Sequence, residues 1–136
     1  MIATLAFASW LFTGVGIPPT PVPAIPPRFL GEWNVDPDHC GTGIGHDGLT
    51  IETNRIGFYE SGGTVRAVVF DGERELALIA SMSGEGMDWL GLLHFRLSPD
   101  HARLVDLAAH GGPVVRHRCP PPSTPSAGLR PENEEG

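Results

Sequence analysis

The side chains best suited to chemistry cluster between residues 34 and 47. This segment holds three Asp, two His and four Gly or Pro residues. Carboxylates around a glycine turn are ligands that Ca²⁺ prefers, and His with Asp binds Zn²⁺. The spacing matches neither type of site, and Cys40 occupies a position where the calcium pattern needs an oxygen ligand. We therefore predict a solvated loop without metal or cofactor, in which Asp36, Asp38 and His39 are candidates for contacting a ligand or partner.

Motifs typical of catalysis are weak in this chain. The glycines at 41, 43 and 45 lack the following helix and the Lys of a phosphate-binding loop. Ser81 and Ser83 lack the Gly-x-Ser-x-Gly pattern of a nucleophile elbow. Acidic residues that could form an acid–base pair fall in or beside predicted turns, where carboxylates are usually solvated. We therefore expect no catalytic residues and predict that the protein is not an enzyme.

Three further side chains are candidates for contacting a ligand or partner. Trp33 and Trp89 lie on alternating apolar faces, where a tryptophan either packs in the core or forms a binding platform. His117 shares its alternation with Val115 and Cys119, which predicts a half-buried histidine. The sequence alone does not choose between a structural and a binding role for these side chains.

The charge distribution excludes some classes of partner. The net charge is −7, and all nine basic residues are Arg, scattered along the chain. Binding to nucleic acid or to an anionic membrane surface needs a concentrated basic patch. We therefore expect no nucleic-acid partner.

The two ends differ in composition from the middle. Residues 1–17 carry an uncharged apolar run that is short for a membrane span and typical of a signal peptide or N-terminal anchor. Residues 18–27 are rich in proline and predict an extended spacer. Residues 121–136 are polar and acidic, which predicts a disordered tail. The working domain is expected at 28–120, in the periplasm or secreted, with no membrane span in the mature domain.

The middle of the chain has the period-two alternation of β-strands. Ser61–Gly63, Asp71–Gly72 and Ser83–Gly86 are predicted turns, and we expect both Asp71 and Gly72 to tolerate positive φ. The predicted strands cover residues 29–35, 49–53, 56–58, 64–70, 76–82, 87–97, 102–107 and 114–119. The sequence therefore predicts an all-β fold of about eight antiparallel strands.

Closure into an up-and-down barrel would remove the exposed edges of such a sheet, whereas a β-sandwich is the alternative. Cys40 follows the first predicted strand and Cys119 ends the last. In an exported chain two cysteines indicate one disulfide, and in a cytosolic chain they indicate separate thiols. Export and closure together predict a Cys40–Cys119 disulfide across the seam of the barrel.

The Gly31-Glu32-Trp33 sequence at the start of the first strand resembles the Gly-x-Trp opening of lipocalins, avidins and related small barrels. In those families the Trp packs across the floor of the barrel. The size, strand number and single disulfide also resemble bacterial periplasmic inhibitors of alkaline metalloproteases, which block the protease cleft with a flexible N-terminal trunk. In this chain the cysteine pair spans nearly the whole domain instead of its N-terminal part.

These features lead to three hypotheses about function. The first is an exported, monomeric, non-enzymatic binding module for an envelope or secreted protein, inhibitor-like, or for a small apolar ligand. The second is an envelope structural or assembly factor without a small ligand. The third is a metal-dependent enzyme that uses the loop at 36–47. Short strands predict a barrel filled by its own side chains, which favours protein contact over an internal pocket.

Overall fold

The computed structural model describes Gly14, Gly16, Ile17 and residues 23–122. Most of the predicted signal segment, half of the predicted spacer and nearly all of the acidic tail therefore lie outside the described residues. Within them, eight strands follow one another: β1 Gly31–Asn34, β2 Leu49–Ile51, β3 Arg55–Phe58, β4 Ser61–Asp71, β5 Glu75–Gly84, β6 Met87–Leu97, β7 Arg103–Asp106 and β8 Val114–Arg118. Short 3-10 turns cover Pro27–Phe29 and Pro37–His39. No helix of the described residues is long and apolar enough to cross a membrane.

The sheet closes into a barrel. Each strand pairs antiparallel with the next, and β1 pairs with β8 through Trp33 opposite Arg118 and Asn34 opposite His117. Closure confirms the predicted up-and-down barrel against the sandwich. It also agrees with the architecture that the resemblance to small barrels implied.

The disulfide joins the two ends of the closed sheet, as predicted. Cys40 and Cys119 are bonded, with their Cα atoms 5.5 Å apart. Beside the bond, the backbone N–H of Cys119 donates to the carbonyl of Glu32 at 2.8 Å. The covalent link therefore lies at the β1–β8 seam, next to the shortest of the pairings that close the barrel.

The core fills the barrel with alternate residues of each strand. The inner faces of β5 and β6 supply the largest share, because their apolar residues recur every second position. The fully buried large side chains are Ile25, Phe29, Trp33, Leu49, Ile51, Ile56, Leu76, Leu78, Phe95, Leu97 and Leu104. Each such side chain stabilises the fold by about 1.5–3 kcal/mol relative to exposure.

One end of the barrel is closed by residues that precede the first strand. Ile25 is buried and its N–H donates to the carbonyl of Thr53 at 2.7 Å. Phe29 is also fully buried within the 3-10 turn. The core thus begins at Ile25, inside the segment predicted to be spacer.

The predicted turns differ from the structure in two places. Ser61–Gly63 belongs to β4, and a side chain at Gly63 would collide there with the carbonyl of Ser81 on the paired strand. A hairpin does follow Asp71, but neither Asp71 nor Gly72 has positive φ. The predicted Ser83–Gly86 turn is present between β5 and β6, with positive φ at Glu85 and Gly86, 50° and 76°. Glycine at position 63 marks a close approach of strands and does not mark a turn.

Candidate functional site

Trp33 lies in the core and does not line a binding surface. Its side chain is fully buried, and its indole Nε1 donates to the carbonyl of Phe29 at 3.1 Å. The guanidinium of Arg118 lies over the indole ring, 4.1 Å from its centroid. Trp33 therefore packs at the closed end of the barrel, as the resemblance to small barrels implied.

Arg118 ties three chain segments together at that end. Its guanidinium donates to the carbonyls of Leu30 at 3.0 Å, Arg28 at 2.6 Å and His101 at 2.9 Å. Burial lowers the pKa of Arg118, because desolvation disfavours the charged form. Three carbonyl acceptors and an aromatic face offset that cost, so the site is structural.

The loop after β1 is held by local hydrogen bonds. The carboxylate of Asp36 accepts from the N–H of Asp38 at 2.9 Å and lies 3.7 Å from Nε2 of His39. The hydroxyl of Thr42 donates to the carbonyl of His39 at 2.6 Å. Cys40 fixes the middle of the loop to β8 through the disulfide. Asp36 and Asp38 are exposed, and their contacts serve to cap the 3-10 turn.

This loop covers a cleft on the outer surface of β1, β2 and β3, which we call the loop cleft. It has a volume of about 230 Å³. Glu32, Asn34, Thr50 and Gly57 form its floor, and residues 39–48 form one wall. The absence of a side chain at Gly57 leaves open space above the strand. The loop cleft is a concave surface on which several polar side chains of the described residues converge.

Two polar side chains on the floor of the loop cleft, those of Asn34 and Glu32, present different hydrogen-bonding groups. Asn34 is 4% exposed; its Oδ1 accepts from the N–H of Asp36 at 3.3 Å, and its Nδ2 has no hydrogen-bond partner among the described residues. One carboxylate oxygen of Glu32 accepts from the N–H of Gly41 at 3.0 Å, which leaves the other oxygen free. The floor therefore presents a donor and an acceptor side by side.

The rim of the loop cleft is apolar and aromatic. Tyr59 is 52% exposed and Ile44 is 63% exposed. The ring of His46 stacks on Tyr59, with centroids 4.3 Å apart and planes inclined by 9°. Exposed aromatic side chains such as that of Tyr59 are enriched in protein interfaces.

The remaining predicted contact residues lie elsewhere. Trp89 is on β6, opposite Met82 on β5, and is 42% exposed. The loop cleft is formed by β1, β2, β3 and the loop after β1, so Trp89 does not line it. His117 is half-buried, as predicted, but stands opposite Asn34 and Arg103 on the outer side of β8. Of the six predicted contact residues, only His39 lines the loop cleft.

A buried ion pair inside the barrel was missed by the sequence analysis. Nη1 of Arg116 lies 3.5 Å from Oδ2 of Asp106, and both side chains are less than a tenth exposed. Nε of Arg116 also donates to the carbonyl of Asp47 at 2.7 Å. Burial lowers the pKa of Arg116, and the charge of Asp106 opposes that shift.

The sequence pattern around Leu104 could have predicted this ion pair, because Asp106 follows Leu104 by two residues. Because alternate residues of a strand share a face, Asp106 follows Leu104 to the inside of the barrel. A buried carboxylate needs a buried cation. Leu104 stands opposite Arg116 on β8, which places that cation beside it.

Among residues 23–122 and the three described residues before them, no group of three or more His, Cys, Asp or Glu side chains is placed to hold a metal ion.

Comparison of the chain with models of protein families, with curated proteins and with solved structures finds no match to any of them.

Proposed function

We propose that this chain is an exported, non-enzymatic binding module that contacts a protein partner through the loop cleft. The observation that carries the proposal is the loop cleft itself, where an amide donor of Asn34 and a carboxylate oxygen of Glu32 lie on the floor of a concave surface with an apolar rim. Neither atom has a hydrogen-bond partner among the described residues, so a ligand can bond to both without breaking a bond within the protein.

The donor and acceptor on the floor suit the backbone of another polypeptide. A peptide group offers one carbonyl and one N–H, which match Nδ2 of Asn34 and the free oxygen of Glu32. Tyr59 and Ile44 then supply the apolar contact area that protein interfaces use. An inhibitor-like contact with a secreted or envelope protein fits this chemistry.

A small apolar ligand inside the barrel is less well supported. Such a ligand needs an internal cavity, and the aromatic side chains that would line it are Trp33, Phe58 and Trp89. Trp33 is fully buried in packed core and Trp89 is 42% exposed on β6, so they do not share one space. A filled interior directs recognition to the outer surface.

The disulfide supports export. Disulfides persist in oxidising compartments, such as the periplasm or the extracellular space, and are rare in the cytosol. The Cys40–Cys119 bond also fixes the loop that forms the wall of the loop cleft, so that less conformational entropy is lost on binding.

Capture of an envelope partner on the immobilised full chain tests the proposal. Tyr59→Ala and Ile44→Ser should each weaken capture at least about tenfold, because each removes an exposed apolar contact on the rim. Val115→Ser is the matched control, since Val115 is 46% exposed on β8 and lies outside the loop cleft. Capture that survives both rim substitutions, or that Val115→Ser weakens equally, would contradict binding at the loop cleft.

A further inference from the structure

One edge of β6 has no strand beside it for most of its length. Along its other edge, β6 pairs with β5 from Met87 to Arg96. On the free side, β7 pairs only with Phe95–Leu97, and the N–H of Leu107 donates to the carbonyl of His94 at 2.8 Å. Among the described residues, nothing pairs with the backbone of residues 87–93 on this side. We call this stretch the free edge.

The geometry of an antiparallel strand identifies which backbone groups are unpaired there. The N–H and C=O of one residue point to the same side of the strand, and successive residues alternate between sides. Because His94 bonds toward β7, residues 92, 90 and 88 point the same way. Leu92, Leu90 and Asp88 therefore present their N–H and C=O groups to the free edge.

The side chains of the free edge are apolar and exposed. Leu90 is 73% exposed and Leu92 is 66% exposed on the outer face of the barrel. Met87 and Trp89, on the other face, are 62% and 42% exposed. Natural proteins protect such edges with Lys, Pro, bulges or a covering segment. Here Asp88 is the one charged side chain of the free edge, so this edge is suited to pairing.

We propose that the free edge pairs antiparallel with the free edge of a second copy of this chain. Residues 87–93 are centred on Leu90, so a two-fold axis at Leu90 brings both free edges into full register. Asp88 then faces Leu92 of the second copy, and each such hydrogen-bonded pair exchanges two hydrogen bonds. This register satisfies all the unpaired groups of both edges, and a shift along the strand leaves some of them unpaired.

The same register brings the exposed apolar side chains of both copies together. On the outer face, Leu90 meets its own counterpart and the two Leu92 side chains flank it. Asp88 lies diagonally across from His94 of the second copy, so opposite charges meet at both ends when the histidine is protonated. Nε2 of that histidine also lies 3.5 Å from Glu75 of its own chain. A second copy therefore matches this edge in backbone, apolar surface and charge.

The proposal departs from the monomer that the sequence predicted. It is independent of the proposed function, because the free edge on β6 shares no residue with the loop cleft. Failure of one proposal leaves the other standing, and the substitutions that test them are different.

Leu90→Pro in the full chain tests the pairing by sedimentation velocity over a range of concentrations. The N–H of Leu90 has no partner within the protomer, so proline should leave the β5–β6 ladder intact, as at natural edge strands. At the two-fold axis it removes the N–H of both copies, and we expect dimer affinity to fall at least about tenfold. Leu90→Thr keeps the N–H and should retain most of the affinity. An unchanged circular dichroism spectrum shows that the proline variant is folded.

A cysteine at position 90 tests the register directly. Facing hydrogen-bonded residues have Cα atoms about 5.5 Å apart, which lies within the range for a disulfide. Leu90→Cys should therefore give a covalent dimer on mild oxidation, whereas Val115→Cys, 46% exposed on β8, should not.

Three results would overturn the proposal. The first is a wild-type protein that stays monomeric at every concentration. The second is a dimer that Leu90→Pro leaves unchanged or that Val115→Cys traps as efficiently as Leu90→Cys. The third is a monomer whose free edge takes up a strand of a different protein, with Leu90→Pro abolishing that contact.

Discussion

Arg118 makes three hydrogen bonds and one cation–π contact at the closed end of the barrel. Its guanidinium bonds to carbonyls of the chain before β1 and of the β6–β7 connection, and it covers the ring of Trp33. These contacts reach 88 and 90 residues back along the sequence. A single side chain of the last strand therefore fixes where the first strand begins.

Replacing Arg118 with Ala should lower the free energy of unfolding by about 2–4 kcal/mol, because three carbonyls lose a charged donor and the indole loses its cation. Urea unfolding monitored by tryptophan fluorescence measures the change. Arg118→Lys should recover less than half of it, since an ammonium does not reproduce the planar fork.

Arg55→Ala is the control for charge removal at an exposed site. Arg55 is 61% exposed and pairs with Glu52 at 3.7 Å, so its loss should change stability by less than about 0.5 kcal/mol. If Arg118→Ala proved no more costly than Arg55→Ala, the anchoring role of Arg118 would be wrong.

At the scale of elements, the connection between β6 and β7 depends on one carboxylate. Oδ1 of Asp100 accepts from the hydroxyl of Ser98 at 2.5 Å and from the N–H of Ala102 at 3.1 Å. His101 within this turn has a φ of 59°, which costs strain in a residue other than glycine. The Ser98 hydroxyl, with the backbone donor, lowers the pKa of Asp100 below its ordinary value of 3.8.

The lowered pKa predicts a defined loss of stability in acid. Because the folded pKa lies below the unfolded one, the carboxylate stabilises the turn above pH 3.8, and this stabilisation is lost as the pH falls through the folded pKa. Asp100→Asn should therefore be less stable than wild type at pH 6, and the gap should narrow at pH values below the unfolded pKa. Urea midpoints at several pH values measure the gap.

Ser98→Ala is the matched control for this prediction. It keeps the carboxylate but removes the donor with the largest effect on its pKa. Its unfolding curves should show a smaller pH dependence than wild type. A wild-type to Asp100→Asn difference that is equal at all pH values would show that the charge of Asp100 does not matter to the turn.

At the scale of the whole molecule, the disulfide constrains nearly the entire domain. It joins residues 79 apart in sequence and crosses the seam where β1 and β8 share the two pairings between Trp33–Asn34 and His117–Arg118. A pairing that short contributes few hydrogen bonds to closure. The disulfide therefore keeps the ends of β1 and β8 close together, both in the unfolded chain and in states where the β1–β8 pairing is broken.

Replacing both Cys40 and Cys119 with Ala should lower the free energy of unfolding by about 4 kcal/mol in the chain-entropy model. Reduction of the wild type, verified by a gain of two hydrogens in intact mass, should have a similar effect. Adding reductant to the double-alanine variant should change nothing further. Equal stability of oxidised and reduced protein would contradict the role of the bond in holding the seam.

Much of the fold was predictable because it depends on local periodicity. Leu76, Leu78, Ala80 and Met82 alternate with polar or small residues, and the inner face of β5 followed directly from them. The disulfide was predictable from the position of two cysteines at the ends of the first and last strands. Short connections between strands favoured antiparallel neighbours, and closure followed from the need to remove sheet edges.

The surface sites were much less predictable. His117 is half-buried as predicted, but the apolar residue Val115, whose alternation it shares, is 46% exposed. The residue of β8 that lies inside the barrel is Arg116, which is 7% exposed. Arg116 is held there by Asp106 on the neighbouring strand β7, and hydropathy alone does not reveal that ion pair.

The sequence by itself determined the all-β class and the approximate strand count, since both depend on periodicity along the chain. It predicted closure and the disulfide, and the structure decided for the barrel against the sandwich and for the Cys40–Cys119 bond against separate thiols. Only the tertiary structure decided which backbone edges stay unpaired and which polar groups share a cleft. Those properties depend on strand register and strand overhang. The free edge of β6 exists because β7 is four residues long and β6 is eleven, and the loop cleft exists because the disulfide holds residues 39–48 over β1–β3.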